Sequence, residues 1–265
     1  MGRALLPQHE RLIARACERF SSDPELLGLI IGGSVAHGLA SPQSDLDVML
    51  VMPDEVVEER SRQDRLTIFD ETMADYEGGY LDGKVIALGF IDEVAAHGSE
   101  PARWAFEDAF VAFSRVEELP ERIAAAATYP EHECDEKLCD FVSHVMLMEW
   151  YMGEADKRLD RYLATFAGSR LALYAGRTAL ALNRMLYPYH KWFLWQLERA
   201  PRKPEGLLAQ IDAVLAAPSA STAHELASSI IAFTGLELPM QEAATRFMRR
   251  SEMNWRNGNP PLEDA

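Results

Sequence analysis

Apolar positions along the chain fall first at helical spacing, then in short continuous runs, then at helical spacing again. Leu12, Ile13, Ala16 and Phe20 predict a helix over residues 8–20, ahead of the first strand. After Asp23-Pro24, the run from Leu26 to Ile31 predicts a buried strand that ends in a Gly32-Gly33 turn. A loop or short helix is expected about Val35 to Leu39, and Ser41-Pro42-Gln43 breaks it before a second strand, Leu46 to Met52. Pro53 and Asp54 then cap a polar helix predicted to run to about Met73. Tyr76 to Ile91 reads as β, whereas Pro101 to Val116 reads as a helix that buries Trp104, Phe106, Phe110 and Phe113.

The character of the chain changes around Glu117 to Pro120. Beyond it, helices are predicted over Lys137 to Phe166, Arg170 to Tyr187, Tyr189 to Arg199, Gly206 to Leu215 and Thr222 to Phe233, with the end frayed from Asn254 on. A domain boundary near residue 118 follows, giving domains 1–118 and 119–265. The fold class is α+β: a small mixed-sheet domain followed by an all-α helical bundle.

Chemistry concentrates at the junction of the first two strands. Asp45 and Asp47, at i and i+2 at the start of an extended run, point to one face about 7 Å apart along the strand. Two carboxylates there are costly unless a positive charge lies between them. Mg²⁺ fits, because it takes one or two carboxylates together with substrate phosphates. The Gly32-Gly33-Ser34 turn supplies a complementary feature, since glycines let the backbone approach an anion closely. Either piece alone is a common turn; together, flanked by two strand-like runs, they point to nucleotide chemistry.

The segment Gly32-Gly33-Ser34 to Asp45-Leu46-Asp47 resembles the signature of the DNA polymerase beta-like nucleotidyltransferase superfamily, and most resembles its aminoglycoside and small-molecule branch. The resemblance implies a polymerase beta-like domain that moves a nucleoside monophosphate, AMP from ATP, to a hydroxyl of a small acceptor, with pyrophosphate leaving. It implies Mg²⁺ held by Asp45, Asp47 and a third carboxylate, all three catalytic, with Gly32, Gly33, Ser34 and Ser44 around the nucleotide. Asp82 is the third acid of choice because Tyr80-Leu81-Asp82-Gly83-Lys84-Val85-Ile86 resembles the third-acid strand of relatives. Glu77 and Asp92 stay open, and Asp82-Gly83 is equally a strong hairpin-turn signal. Leu182 to Trp192 resembles a motif in the helical domains of such enzymes, which implies phosphate contacts from Arg184 and Lys191 and a substrate contact from Asn183. Arg184 and His190 also follow the spacing of HEPN-type ribonucleases, but Met185 and Pro188 depart from that pattern.

Charge bears on the acceptor. With 26 basic and 42 acidic residues the formal net charge is −16, which disfavours nucleic acid and suits a cationic acceptor such as an aminoglycoside. Glu149, Glu154, Asp156 and Asp160 are candidates for an acidic wall or a general base, while Arg246, Arg249, Arg250 and Arg256 read as a solvated helix face. No apolar run is long enough to span a bilayer, and the polar N-terminus is read as neither a secretory signal nor, with Leu6 where Ser or Thr is needed, a myristoylation site. Cys17, Cys134 and Cys139 form no disulfide framework, which suits the cytoplasm, and His132 with the latter two lacks a fourth zinc ligand. Two rivals remain: the same chemistry on a protein or RNA acceptor, as in toxin-antitoxin systems, and a nucleotide-binding module without turnover.

Overall fold

A computed structural model of the chain describes residues 5–258. The chain divides into two compact units after Thr128, later than residue 118. The first unit holds α1 (Pro7–Ser21), β1 (Gly28–Ile31), α2 (Gly33–Ala36), β2 (Leu46–Met52), α3 (Asp54–Arg62), β3 (Thr67–Asp70), β4 (Leu81–Ala87), α4 (Leu88–His97), α5 (Glu100–Trp104), β5 (Phe110–Ser114) and α6 (Leu119–Ala126). The later division has a packing cause: Leu119, Ile123 and Ala126 of α6 are buried in one cluster with Ile30, Val51, Ile91 and Val94.

The five strands form a mixed sheet in the order β3-β4-β2-β1-β5. β2 and β4 run parallel, while β1 pairs antiparallel with both β2 and β5, and β3 antiparallel with β4. Alternation along β2 sends Leu46, Val48, Leu50 and Met52 into a core shared with Leu12 and Ala16 of α1. The opposite face carries Val51 into the cluster covered by α4 and α6, and Met49 packs at its margin. Asp47 falls on this second face by the same period of two.

Three expectations change in this unit. The polar helix from Asp54 stops at Arg62, because Asp64 adopts a left-handed backbone with φ 55° and the chain returns as β3. The β-like segment through Ile91 divides, with β4 passing directly into α4 at Leu88. The helix expected over 101–116 is only α5; Asp108, with φ 59°, turns the chain, and Phe110 and Phe113 lie in β5 opposite Ile31 and Leu29. Asp82-Gly83 is not a hairpin turn but the interior of β4, where a Cβ at position 83 would come within 2.7 Å of Val48 Cγ2.

The second unit is helical: α7 (Cys134–Arg158), α8 (Arg161–Leu182), α9 (Phe193–Arg199), α10 (Leu207–Ala216), α11 (Ala220–Thr234) and α12 (Met240–Arg250), with short 3-10 turns at Glu131–Glu133, His190–Trp192 and Asn254–Asn257. Met148 and Met152 of α7, Leu171 and Ala175 of α8, Val214 of α10 and Leu226 of α11 share its core. The single helix expected over 137–166 breaks at Leu159, which is left-handed with φ 54° and 88% exposed. Asp160 then starts α8 by accepting a hydrogen bond from Leu163 N at 3.0 Å, a cap that contributes about 1 kcal/mol. The mixed sheet followed by helices is the α+β class expected from the sequence. Of the end expected to fray from Asn254, residues 254–257 form a 3-10 turn, and residues 259–265 lie outside the described residues.

Candidate active site

Asp45 immediately precedes β2, Asp47 is its second residue, and Asp82 is the second residue of β4. The parallel register sets Asp47 directly against Asp82. One ligand oxygen from each of Asp45, Asp47 and Asp82 lies within 4.8 Å of the others, with the first two half-buried and Asp82 exposed. Three carboxylates this close repel one another, and a divalent cation among them converts the repulsion into attraction. An all-oxygen donor set suits a hard ion such as Mg²⁺. Neither alternative third acid joins this group among the described residues: Asp92 on α4 pairs with Arg122 of α6, and Glu77 lies outside the cluster.

The glycine turn is built around the same aspartate. Gly32 N donates to Asp47 O at 3.0 Å, fastening the end of β1 to β2. Gly33 follows with φ 59°, and a Cβ there would overlap the Asp47 carboxylate. Ser34 is buried, and its Oγ has no hydrogen-bond partner among the described residues. An unsatisfied buried hydroxyl is costly, and a water or a ligand oxygen can complete it. A phosphate oxygen is a fitting acceptor. Ser44 is differently occupied: its Oγ accepts from Ser41 N at 2.9 Å and closes the turn before Asp45.

Tyrosines that the sequence reading did not single out support the acids. The Tyr80 hydroxyl donates to Asp45, and that bond, with the charges of Asp45, Asp82 and Asp47, raises its pKa above the usual tyrosine value. The Tyr76 hydroxyl donates to Ser44 O at 2.7 Å, and His9 Nε2 lies 3.2 Å from the same carbonyl. Burial first, and then Asp45 and Asp75, push the Tyr76 pKa up. Both tyrosines lie within the Tyr76 to Ile91 segment, where a polar aromatic beside acids was the available signal. His37 packs its ring on Trp104 at 4.1 Å and sets Nδ1 3.1 Å from Asp108, tying the end of α2 to the α5 region.

Residues 10–87 match the family described as "Nucleotidyltransferase domain". The match includes Gly32, Gly33, Ser34, Asp45, Asp47 and Asp82, and with them every strand of the sheet except β5. No curated protein matches the sequence. The fold is similar to that of a nucleotidyltransferase-like protein from Exiguobacterium sibiricum 255-15, with a TM-score of 0.51 and 10% identity, covering 96% of this chain and 82% of that one. At that identity the likeness is one of fold.

The residues singled out in the second unit mostly have partners there. Arg184, with φ 56°, pairs through Nε with Glu131 at 2.7 Å and donates from Nη1 to Ala181 O. Asn183 donates from Nδ2 to Ala179 O and Arg202 O and accepts from Arg202 N, which holds the end of α8. Lys191 is exposed, its Nζ 5.7 Å from the Trp192 ring centre. His190 Nδ1 lies 3.0 Å from the Tyr187 hydroxyl. Each member of the suggested acidic wall also has a partner: Glu149 with His224, Glu154 with Lys157 and Arg158, Asp156 with Ala220 N, and Asp160 with Leu163 N. His132, Cys134 and Cys139 form no metal cluster among the described residues. No described helix is long and apolar enough to cross a membrane.

Proposed function

We propose that the protein is a Mg²⁺-dependent nucleotidyltransferase that moves AMP from ATP to a hydroxyl of a small, cationic acceptor of the aminoglycoside kind, releasing pyrophosphate. One observation carries the reading: Asp45, Asp47 and Asp82 bring three carboxylate oxygens within 4.8 Å of one another beside a buried Ser34 hydroxyl that has no partner among the described residues. The match of residues 10–87 to a nucleotidyltransferase domain supports the same reaction class. Net charge of −16 supports a cationic acceptor over nucleic acid, and three free cysteines suit a cytoplasmic setting.

Asp45, Asp47 and Asp82 would hold the metal, which when bound supplies charge neutralisation on the phosphates. Gly32 and Gly33 present backbone without side-chain obstruction, and the Ser34 hydroxyl donates to a phosphate oxygen. Tyr80 fixes the rotamer of Asp45 through its hydroxyl. A carboxylate oxygen of Asp82, the exposed acid of the three, takes the proton of the attacking hydroxyl. Positioning and electrostatics do this work, so no nucleophilic side chain is needed. Of the second-unit residues that the resemblance implies for phosphate contact, Lys191 is exposed and Arg184 is paired with Glu131.

The test is Mg²⁺-dependent pyrophosphate release by the full chain and by Asp47→Ala. Loss of release with an unchanged unfolding temperature is expected; turnover by the folded variant would overturn the reading. Labelled ATP offered to separate pools of aminoglycosides, lysate protein and tRNA identifies the acceptor. Label on protein or tRNA replaces the small-molecule assignment, and ATP binding without release in any pool makes the domain a binding module.

A further inference from the structure

The four arginines near the end of the chain do not form a simple solvated face. Arg246, Arg249, Arg250 and Arg256 line one cavity of about 570 Å³ together with Glu136 and Asp140 of α7. Asp140 is 7% exposed and fixes two of the guanidinium groups: Arg246 Nη1 donates to its Oδ1 at 3.2 Å, and Arg250 Nε to its Oδ2 at 2.6 Å. Arg246 Nε is held by Glu242 and Arg250 Nη2 by Glu136, leaving Arg246 Nη2 and Arg250 Nη1 without a partner among the described residues. Arg249 and Arg256 have no ion pair among the described residues.

Four guanidinium groups against Glu136, Asp140 and the Glu242 that holds Arg246 still leave this cavity net positive within a chain of net charge −16. Capping the C-terminal end of α12 accounts for one or two cations in the last turn. It does not account for Arg256, which lies beyond the helix and lines the same cavity. Guanidinium groups held in place by a buried carboxylate are pre-organised donors, and their planar fork suits phosphate oxygens. The volume is that of a small-ligand site rather than a groove for a polymer.

We propose that this cavity of the helical unit binds a phosphorylated small molecule carrying at least two negative charges, through Arg249 and Arg256 with the free edges of Arg246 and Arg250. The site uses no residue of the carboxylate cluster and does not depend on the proposed transfer reaction.

Calorimetric titration of the full chain with inorganic tripolyphosphate in EDTA tests it, because EDTA removes metal-mediated binding at the acids. Saturable binding is expected, weakened by at least about tenfold in an Arg249→Ala/Arg256→Ala double variant whose unfolding temperature is unchanged. Asp47→Ala should bind as tightly as the unaltered protein. No binding by the unaltered protein, equal binding by the double variant, or loss of binding in Asp47→Ala would overturn the proposal. So would a single-stranded RNA oligonucleotide that binds more tightly than tripolyphosphate and depends on the same two arginines.

Discussion

Asp47 and Asp82 are direct partners in the parallel pairing of β2 with β4, so two residues 35 positions apart present their carboxylates side by side. Parallel neighbours in register carry their side chains on one face, and without a cation these two repel. Asp82→Asn preserves shape and removes one charge. Titration with Mn²⁺ should show binding weakened by about a hundredfold or more, since even partners of metal ligands change affinity by about 10- to 100-fold. In EDTA the same variant should unfold at an equal or higher temperature than the unaltered protein, because repulsion has been relieved. Lower stability in EDTA combined with unchanged Mn²⁺ binding would remove Asp82 from the metal site.

Gly33 and Asp47 exclude any larger pairing. Gly33→Ala combines a left-handed backbone, which costs a residue with a Cβ about 1–2 kcal/mol, with an overlap on the carboxylate. Urea unfolding should show at least that loss, and pyrophosphate release should fall further than stability predicts because Asp47 is displaced. Gly38, also left-handed with φ 70° but with open space where a Cβ would go, is the matched control. Gly38→Ala should lose only the backbone contribution and keep its activity.

How much of this was legible in the sequence follows from how far each interaction reaches. Asp45, Asp47 and the glycine turn are set by spacing within one short stretch, so their shared face could be read directly. The partnership of Asp82 depends on register between strands joined by α3 and β3, and locally Asp82-Gly83 carries the chemistry of a hairpin turn. Phe106, Phe110 and Phe113 happen to fall at helical spacing, but α5 ends at Trp104 and Asp108 turns left-handed, and the last two lie in β5. The arginines of α12 look like a solvated face until Asp140, more than a hundred residues earlier, is seen to hold two of them.

Tyr80 gives a prediction with a defined direction in pH. Its folded pKa is raised, chiefly by the hydrogen bond to Asp45 and then by the charge of that carboxylate. A raised pKa contributes stability that is fully present below the unfolded value of about 10 and is lost as pH rises through the higher folded value. Tyr80→Phe should therefore flatten the decline in stability above about pH 10. At neutral pH the partly exposed bond should contribute no more than about 1 kcal/mol. Because Asp45 loses its fixed rotamer, Mn²⁺ affinity should drop about tenfold.

His144 predicts the opposite limb. It is 5% exposed in α7, with Nδ1 2.7 Å from Asp140 O and Nε2 3.3 Å from Ser251 Oγ, and its ring lies between Tyr174 and Phe247. Burial lowers its pKa most; the Asp140 carbonyl and charge oppose that, and Arg250 and Arg170 reinforce it. The neutral ring donates from Nδ1 to the Asp140 carbonyl and accepts at Nε2 from Ser251. Protonation at Nε2 removes that acceptor and places a cation near Arg250. A lowered folded pKa means the contribution is complete above the unfolded value of about 6.5 and is lost as pH falls through the folded value. Urea unfolding between pH 7.5 and 5 should thus show declining stability, and His144→Gln, uncharged throughout, should make that decline shallower while lowering stability at pH 7.5 through lost ring packing. An unchanged slope in the variant would show that other groups govern the acid limb.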